Sequence, residues 1–299
     1  MPGSTTEGID LKVAVLSGKG GTGKTLVAVN LAAAAKHSTY VDCDVEEPNG
    51  HLFFRPEQVE EESVTVAIPA VDHALCTGCR SCVQFCQFNA LAYTGQRLII
   101  FDDICHSCGG CVLVCPQEAL TERDKSIGKV QKGVSEGVGC LTGILNIGEA
   151  SGVPIIQELL SGLEEASSPV FIDCPPGSAC TVMESIKEAD YCILVVEPTL
   201  FGVHNFQMVL ELVQLFQKPF GVVINKCLPG ENPAEAFCLE RGLGILAQIP
   251  FSKDLGWINS QGRIAVREEP VYRALFQDLW AAVCREVRRE SKTVAHSKR

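Results

Sequence analysis

Residues 16–25 read Leu16-Ser17-Gly18-Lys19-Gly20-Gly21-Thr22-Gly23-Lys24-Thr25, or LSGKGGTGKT. From Gly18 onward the stretch satisfies the pattern G-x-x-x-x-G-K-[ST], whose chemistry is that of a phosphate cradle. Gly18, Gly20, Gly21 and Gly23 carry no Cβ, so with Thr22 they can turn their backbone N–H groups inward around phosphate oxygens. The positive end of a following helix adds to that field. Lys24 is placed to neutralise β- and γ-phosphates, and the Thr25 hydroxyl to hold Mg²⁺. One lysine suffices for this task, so Lys19, five positions earlier, needs a separate explanation.

Working outward, Leu11–Leu16 (LKVAVL) is a short apolar run that predicts a buried strand, and KTLVAVNLAAAAK predicts a helix packed on a sheet. STYVDCDV then predicts a second strand with Asp42 and Asp44 at its end. Strand, glycine loop, helix and strand open a parallel α/β domain. An aspartate at such a strand end can orient water towards a γ-phosphate or hold a water on Mg²⁺. Later strands SPVFIDCPPG, YCILVVEP and FGVVINK restore the same rhythm. Asp173 ends one of them, where an aspartate serves the Mg²⁺ second shell, and the following Pro-Pro-Gly turn could shift with phosphate loss. Asn225 ends another, where its amide is expected to read an adenine edge.

Between about His73 and Leu120 the rhythm breaks. CTGCRSCVQFCQFNAL from Cys76 is repeated as CHSCGGCVLVCPQEAL from Cys105. Each half has the spacing C-x₂-C-x₂-C-x₃-C, in which three thiolates serve one iron–sulfur cube and the fourth reaches the other. Cys76, Cys79, Cys82 and Cys115 are therefore expected to hold one 4Fe–4S cluster, and Cys105, Cys108, Cys111 and Cys86 the second. Zinc pairs usually lack the third and fourth members of such a run. Pro116 follows Cys115 as the pattern requires, whereas Gln87 follows Cys86. The expected architecture is α/β, a mostly parallel sheet with a two-cluster α+β module inserted: residues 1–72, insert 73–121, residues 122–290 and a frayed tail, 291–299.

The chain has 299 residues and 16 cysteines, with 25 Lys+Arg against 36 Asp+Glu for a net charge of −11. That balance argues against nucleic acid as a partner. Many cysteines without a basic-then-apolar leader suggest metal binding in a reducing cytoplasm rather than a disulfide framework. No apolar run is long enough for stable membrane insertion. Near the C-terminus, Val271, Leu275, Leu279, Val283 and Val287 are expected on one helix face, packed on the domain.

GKGGTGK, VDCDVEEPNGHLFF, DCPPG and QIPFSKDLG together resemble the MinD, ParA, Mrp and nitrogenase iron-protein superfamily. The inserted cysteine repeat is similar to its subgroup carrying a ferredoxin domain. The resemblance implies a Mg²⁺-dependent ATPase working as a face-to-face dimer, a homodimer or a heterodimer with a paralogue, with nucleotide sandwiched between protomers. It implies that Lys19 reaches the partner's phosphates, that Asp44 activates water and that Asp173 is linked to Mg²⁺. Two functions are then open. One is gated electron delivery, or cluster assembly and transfer, to an acceptor metalloprotein or redox partner. The other is a positioning ATPase whose clusters sense redox state, associating with membrane or DNA when ATP is bound. An electron-transfer module with a vestigial loop would not keep Lys24, Thr25, Asp44 and Asp173 together. EGVGC at Cys140, and Cys180 seven residues beyond Asp173, are similar to the iron-protein ligands of a cluster shared by two protomers, so this pair is a further expectation. The C-x-x-C pair that Mrp-type scaffolds carry in the later part of the chain is missing, and Cys43, Cys174, Cys192, Cys227, Cys238 and Cys284 are assigned no role.

Overall fold

The computed structural model describes residues 10–297, with side chains described except at positions 164, 165 and 290–297. In chain order its strands and helices begin β1 Lys12–Ser17, α1 Lys24–Ala35, β2 Thr39–Asp42, α2 Gly50–Phe54 and β3 Glu57–Val71. Then come α3 Ser81–Phe85, β4 Leu91–Thr94, β5 Arg97–Ile100, α4 Gly110–Leu113, β6 Leu120–Ser135 and β7 Val138–Leu145. The rest are α5 Val153–Ser161, β8 Val170–Asp173, α6 Cys180–Ile186, β9 Tyr191–Val196, α7 Leu200–Leu215, β10 Phe220–Cys227, α8 Pro233–Glu240, β11 Ile245–Pro250, α9 Lys253–Ser260, α10 Ala265–Glu268 and α11 Pro270–Ser297.

Nine strands form one sheet in the order β11-β10-β9-β1-β8-β2-β7-β6-β3. The pairings from β11 to β7 are parallel, so these strands deliver their C-terminal ends to one edge. Strands buried on both faces need apolar residues throughout, as the fully buried YCILVV of β9 shows. Helices α5 to α8 cover one face through Ile155, Val182, Phe206 and Cys238. Helices α1 and α9 to α11 cover the other through Val29, Leu255, Val266 and Trp280.

Strands β6 and β3 are antiparallel additions. Strand β7 ends opposite Gly128, so residues 120–127 of β6 and their β3 partners run on past the edge where the parallel strands end. This ribbon carries residues 72–119, which have a two-stranded sheet of β4 and β5 and an apolar cluster of their own, including Ala90, Leu91 and Leu98.

Helix α11 continues to Ser297, into the segment expected to be a tail, and positions 298–299 lie outside the described residues. One local expectation is corrected. On the same helix Val271 is 67% exposed, while Phe276, Leu279, Trp280, Val283 and Cys284 are buried. Steps of four residues turn a helix by about 400°, so a strictly four-spaced stripe winds off the buried face.

Candidate nucleotide site and cysteine module

The loop 18–23 joins β1 to α1, and Gly23 sits at the helix entry with φ +98°. A Cβ there would lie 2.1 Å from Asn225 Nδ2. Only glycine meets both conditions. Asn225 is buried and its Nδ2 donates to the Thr22 carbonyl at 2.8 Å. Through this bond the Asn225 amide braces the loop from behind. The Thr22 hydroxyl donates to the Lys19 carbonyl at 3.1 Å, closing the loop on itself. Gly18 follows the buried end of β1, Gly20 and Gly21 are exposed, and Thr25 is half-buried in the first turn of α1. No side chain caps that helix and its first turn holds no acid, so its leading N–H donors face the loop without an internal partner.

Lys24 is buried and donates to Asp173 Oδ1 at 2.6 Å, with Asp44 Oδ2 4.0 Å away. Burial alone would lower its pKa, but the charge of Asp173, helped by Asp42 and Asp44, raises it above the ordinary value. The other Asp173 oxygen accepts from the Tyr40 hydroxyl at 2.8 Å. Burial, then Asp173, pushes that phenol well above its usual range. Asp42 has a different task from Asp44. Its carboxylate accepts backbone N–H groups of Asp44, Asn49 and Gly50 at 3.1, 3.0 and 2.8 Å, anchoring the turn after β2. Burial and the neighbouring Asp173 push its pKa up. Asp44 stays half-buried, and burial raises it to about 6 against the pull of Lys24.

Lys19 pairs with Glu197 at 2.6 Å and lies 5.3 Å from the centre of the Phe201 ring. Glu197 also accepts from Lys226 at 2.6 Å, and Lys226 donates to the Gly21 carbonyl at 2.6 Å. Although burial opposes it, these two lysines hold the Glu197 carboxyl below its ordinary pKa. Sequence reasoning assigned nothing to Glu197 or Tyr40. The only available signal for Glu197 was its place at the end of an apolar strand.

The cysteine repeat is also a backbone repeat. Positive φ recurs 29 residues apart at Gly78 and Ser107, Arg80 and Gly109, and Asn89 and Glu118. Ala90 N–H donates to Cys86 Sγ at 3.4 Å, and Ala119 N–H to Cys115 Sγ at 3.3 Å. One cavity is lined by Cys76, Cys79, Cys82 and Cys115, and a second by Cys86, Cys105, Cys108 and Cys111. Each cavity thus takes three cysteines from one half and the last from the other. Among the described residues, no three His, Cys, Asp or Glu side chains gather tightly enough to hold a single metal ion.

Cys140 and Cys180 are not brought together. Cys140 is buried on β7 among the α1–α11 face, its Sγ 3.6 Å from the Val138 carbonyl, and burial raises its pKa to about 12. Cys180 is exposed at the start of α6, whose Val182 and Ile186 pack on the opposite face. A thiol inside the sheet core cannot reach a partner protomer, so the bridging-pair expectation is corrected. The remaining cysteines without a role are buried or half-buried.

A loop of this geometry at the carboxyl edge of a parallel sheet defines an α/β phosphate-loop protein that binds nucleotides. Its place within that class is given by residues 13–264, which match the CobQ/CobB/MinD/ParA nucleotide binding domain; the chain belongs to this family. Similar curated proteins include two uncharacterized proteins of Methanocaldococcus jannaschii. MJ0579 is 29% identical over 72% of this chain and 79% of its own length, and MJ0578 is 30% identical over 73% and 79%. A 56-residue stretch, 19% of this chain, is 36% identical to 21% of one component of the ion-translocating oxidoreductase complex of Methanosarcina acetivorans. The cell division ATPase MinD of Pyrococcus furiosus shares the fold, with TM-score 0.59 and 17% identity over 93% of this chain and 99% of that one. The septum site-determining protein MinD of Pyrococcus horikoshii, complexed with Mg-ADP, does so at 0.58 and 18%, over 92% and 96%. Among the described residues, no helix is long and apolar enough to cross a membrane.

Proposed function

We propose that the chain is a Mg²⁺-dependent ATPase acting as a nucleotide-sandwich dimer, with residues 73–121 forming a two-cluster ferredoxin-like module. ATP turnover gates electron delivery, or transfer of a metal cluster, to an acceptor metalloprotein in a reducing cytoplasm. The observation that carries this reading is the crossed lining of the two cavities, three cysteines from one half and the fourth from the other. That exchange is what two-cluster ferredoxin runs require. The thiolates of a cluster hold different irons at the corners of a cube, so they need not converge on one ion. The two N–H···S bonds to Cys86 and Cys115 hold the last sulfur of each half in the same way. When bound, such clusters supply one-electron transfer.

At the loop, backbone N–H groups of residues 18–25 receive the phosphates and Lys24 neutralises charge between the β and γ positions. Thr25 would hold magnesium directly, with Asp173 acting through water. Asp44, half-buried beside Lys24, orients the attacking water. Its carboxyl must be ionised to do so. Because its pKa is raised to about 6, kcat/KM for ATP rises with pH through about 6 and levels above it. The same shift means that this group favours folding below its unfolded pKa and loses that contribution as pH climbs through 6. A rate profile flat from pH 5 to 8 would remove Asp44 from this role.

The reading is tested on anaerobically purified protein by iron and acid-labile sulfide analysis. About eight irons per chain are expected, and Cys82→Ala or Cys111→Ala should each remove about half. ATPase rates measured with the module oxidised and reduced should then differ. A chain without iron sinks the two-cluster reading. The shared fold of the Pyrococcus MinD proteins favours a second reading, a positioning ATPase with redox-sensing cysteines. ATP-dependent binding to anionic vesicles or DNA, with rates indifferent to redox state, would select it.

A further inference from the structure

The ribbon that carries residues 72–119 also carries Lys125, on β6 opposite Val66. Its side chain is mostly buried and its ammonium contacts both sides of the junction. On one side it donates to the Asp102 carbonyl at 3.2 Å and to Asp103 Oδ1 at 3.3 Å. These residues open the short turn Asp102–Ile104, and Cys105 N–H closes that turn onto Asp102 at 3.3 Å. Arg123, two residues from Lys125, pairs with the Asp102 carboxylate. On the other side Lys125 donates to Glu149 Oε2 at 2.7 Å, and Glu149 is itself mostly buried.

Glu149 belongs to the loop between β7 and α5, whose root touches the residue after Asp44. Leu145 N–H donates to the Val45 carbonyl at 2.9 Å, and Asn146 N–H to the Ile127 carbonyl at 2.8 Å. Val45 is buried in a slot between two glycines. A Cβ on Gly143 would lie 2.7 Å from Val45 Cγ1, and one on Gly152 2.4 Å from Val45 Cγ2. Close packing of this kind does not absorb displacement; it passes it on. A shift of Asp44 therefore presses on both ends of the loop that holds Glu149.

We propose that Lys125 and Glu149 form the joint through which the nucleotide site moves the turn leading into Cys105. The pair is a positioning device, touching neither nucleotide nor sulfur. It rests on the reading of residues 18–25 as a nucleotide site, and only its consequence for redox chemistry rests on the two-cluster reading. A chain of contacts alone does not establish coupling, so the test measures coupling directly.

Hydrogen exchange of the amides at 102–108 is followed in the full chain, with and without magnesium and a non-hydrolysable ATP analogue. In the wild type, nucleotide changes exchange there by about threefold or more. In Lys125→Met that change is lost while nucleotide affinity stays within about twofold, and Glu149→Ala, which removes the acceptor from the other side, gives the same result. The double variant adds nothing further, as expected for two members of one contact. A nucleotide-dependent change that survives in both variants overturns the proposal, as does its absence from a wild type that binds nucleotide. Iron analysis of the same samples separates the outcomes, because loss of the two-cluster reading would leave the exchange result standing.

Discussion

Asp173→Ala lowers the urea midpoint of the ligand-free chain and abolishes ATP hydrolysis. Asp173 is buried at the end of β8 and accepts from two groups, Lys24 at 2.6 Å and Tyr40 at 2.8 Å. Removing it leaves a buried ammonium and a buried phenol short of acceptors. Breaking one side of a buried charge pair costs about 3–5 kcal/mol, since the surviving charge is uncompensated. Asp44, 4.0 Å from the same ammonium, offers partial rescue, so the lower end, about 3 kcal/mol, is expected. Asp173→Asn separates charge from contact, because its side-chain carbonyl can still accept while the negative charge is gone. It should recover part of the stability and none of the turnover. A wild-type urea midpoint in Asp173→Ala would show that Lys24 does not depend on this partner.

The loop, the strand-end aspartates and the 29-residue cysteine repeat were legible in sequence because each is a local pattern. LSGKGGTGKT fixes its own glycine conformations, and the repeat fixes its own turns, so both survive without knowledge of the rest of the chain. What the sequence hid depends on tertiary neighbours. EQVEEESVTVAIPAV suggests no continuous buried strand, yet it forms β3, because an antiparallel strand at a sheet edge can keep glutamates facing solvent. Asn225 showed a strand end but not its bond to the Thr22 carbonyl, which joins residues 203 positions apart. Cys140 fitted a ligand motif until pairing with β2 and β6 buried it. Glu197 had no motif at all, and its importance comes only from two lysines converging on it from the glycine loop and from β10.

That convergence sharpens the second large prediction, which concerns Lys19. In the single chain Lys19 turns back onto Glu197 rather than outward, and its side chain is 30% exposed. A partly exposed pair of this kind is worth about 1 kcal/mol or less, so it can be exchanged cheaply for a phosphate. Glu197 would not be stranded by the exchange, because Lys226 remains at 2.6 Å. If Lys19 serves the partner's nucleotide, it acts as a cation supplied in trans, a contribution on the scale of about 10³-fold or more in turnover. Lys19→Ala should then bind ATP within about twofold of wild type, since Lys24 and the loop amides are untouched, yet lose about 10³-fold in kcat. It should also fail to shift from monomer to dimer when magnesium and ATP are added, read by light scattering on a sizing column. Glu197→Ala frees Lys19 without removing it, so the same shift should occur at lower ATP. Normal turnover in Lys19→Ala would confine Lys19 to its own protomer and leave Glu197 as a local brace of the loop.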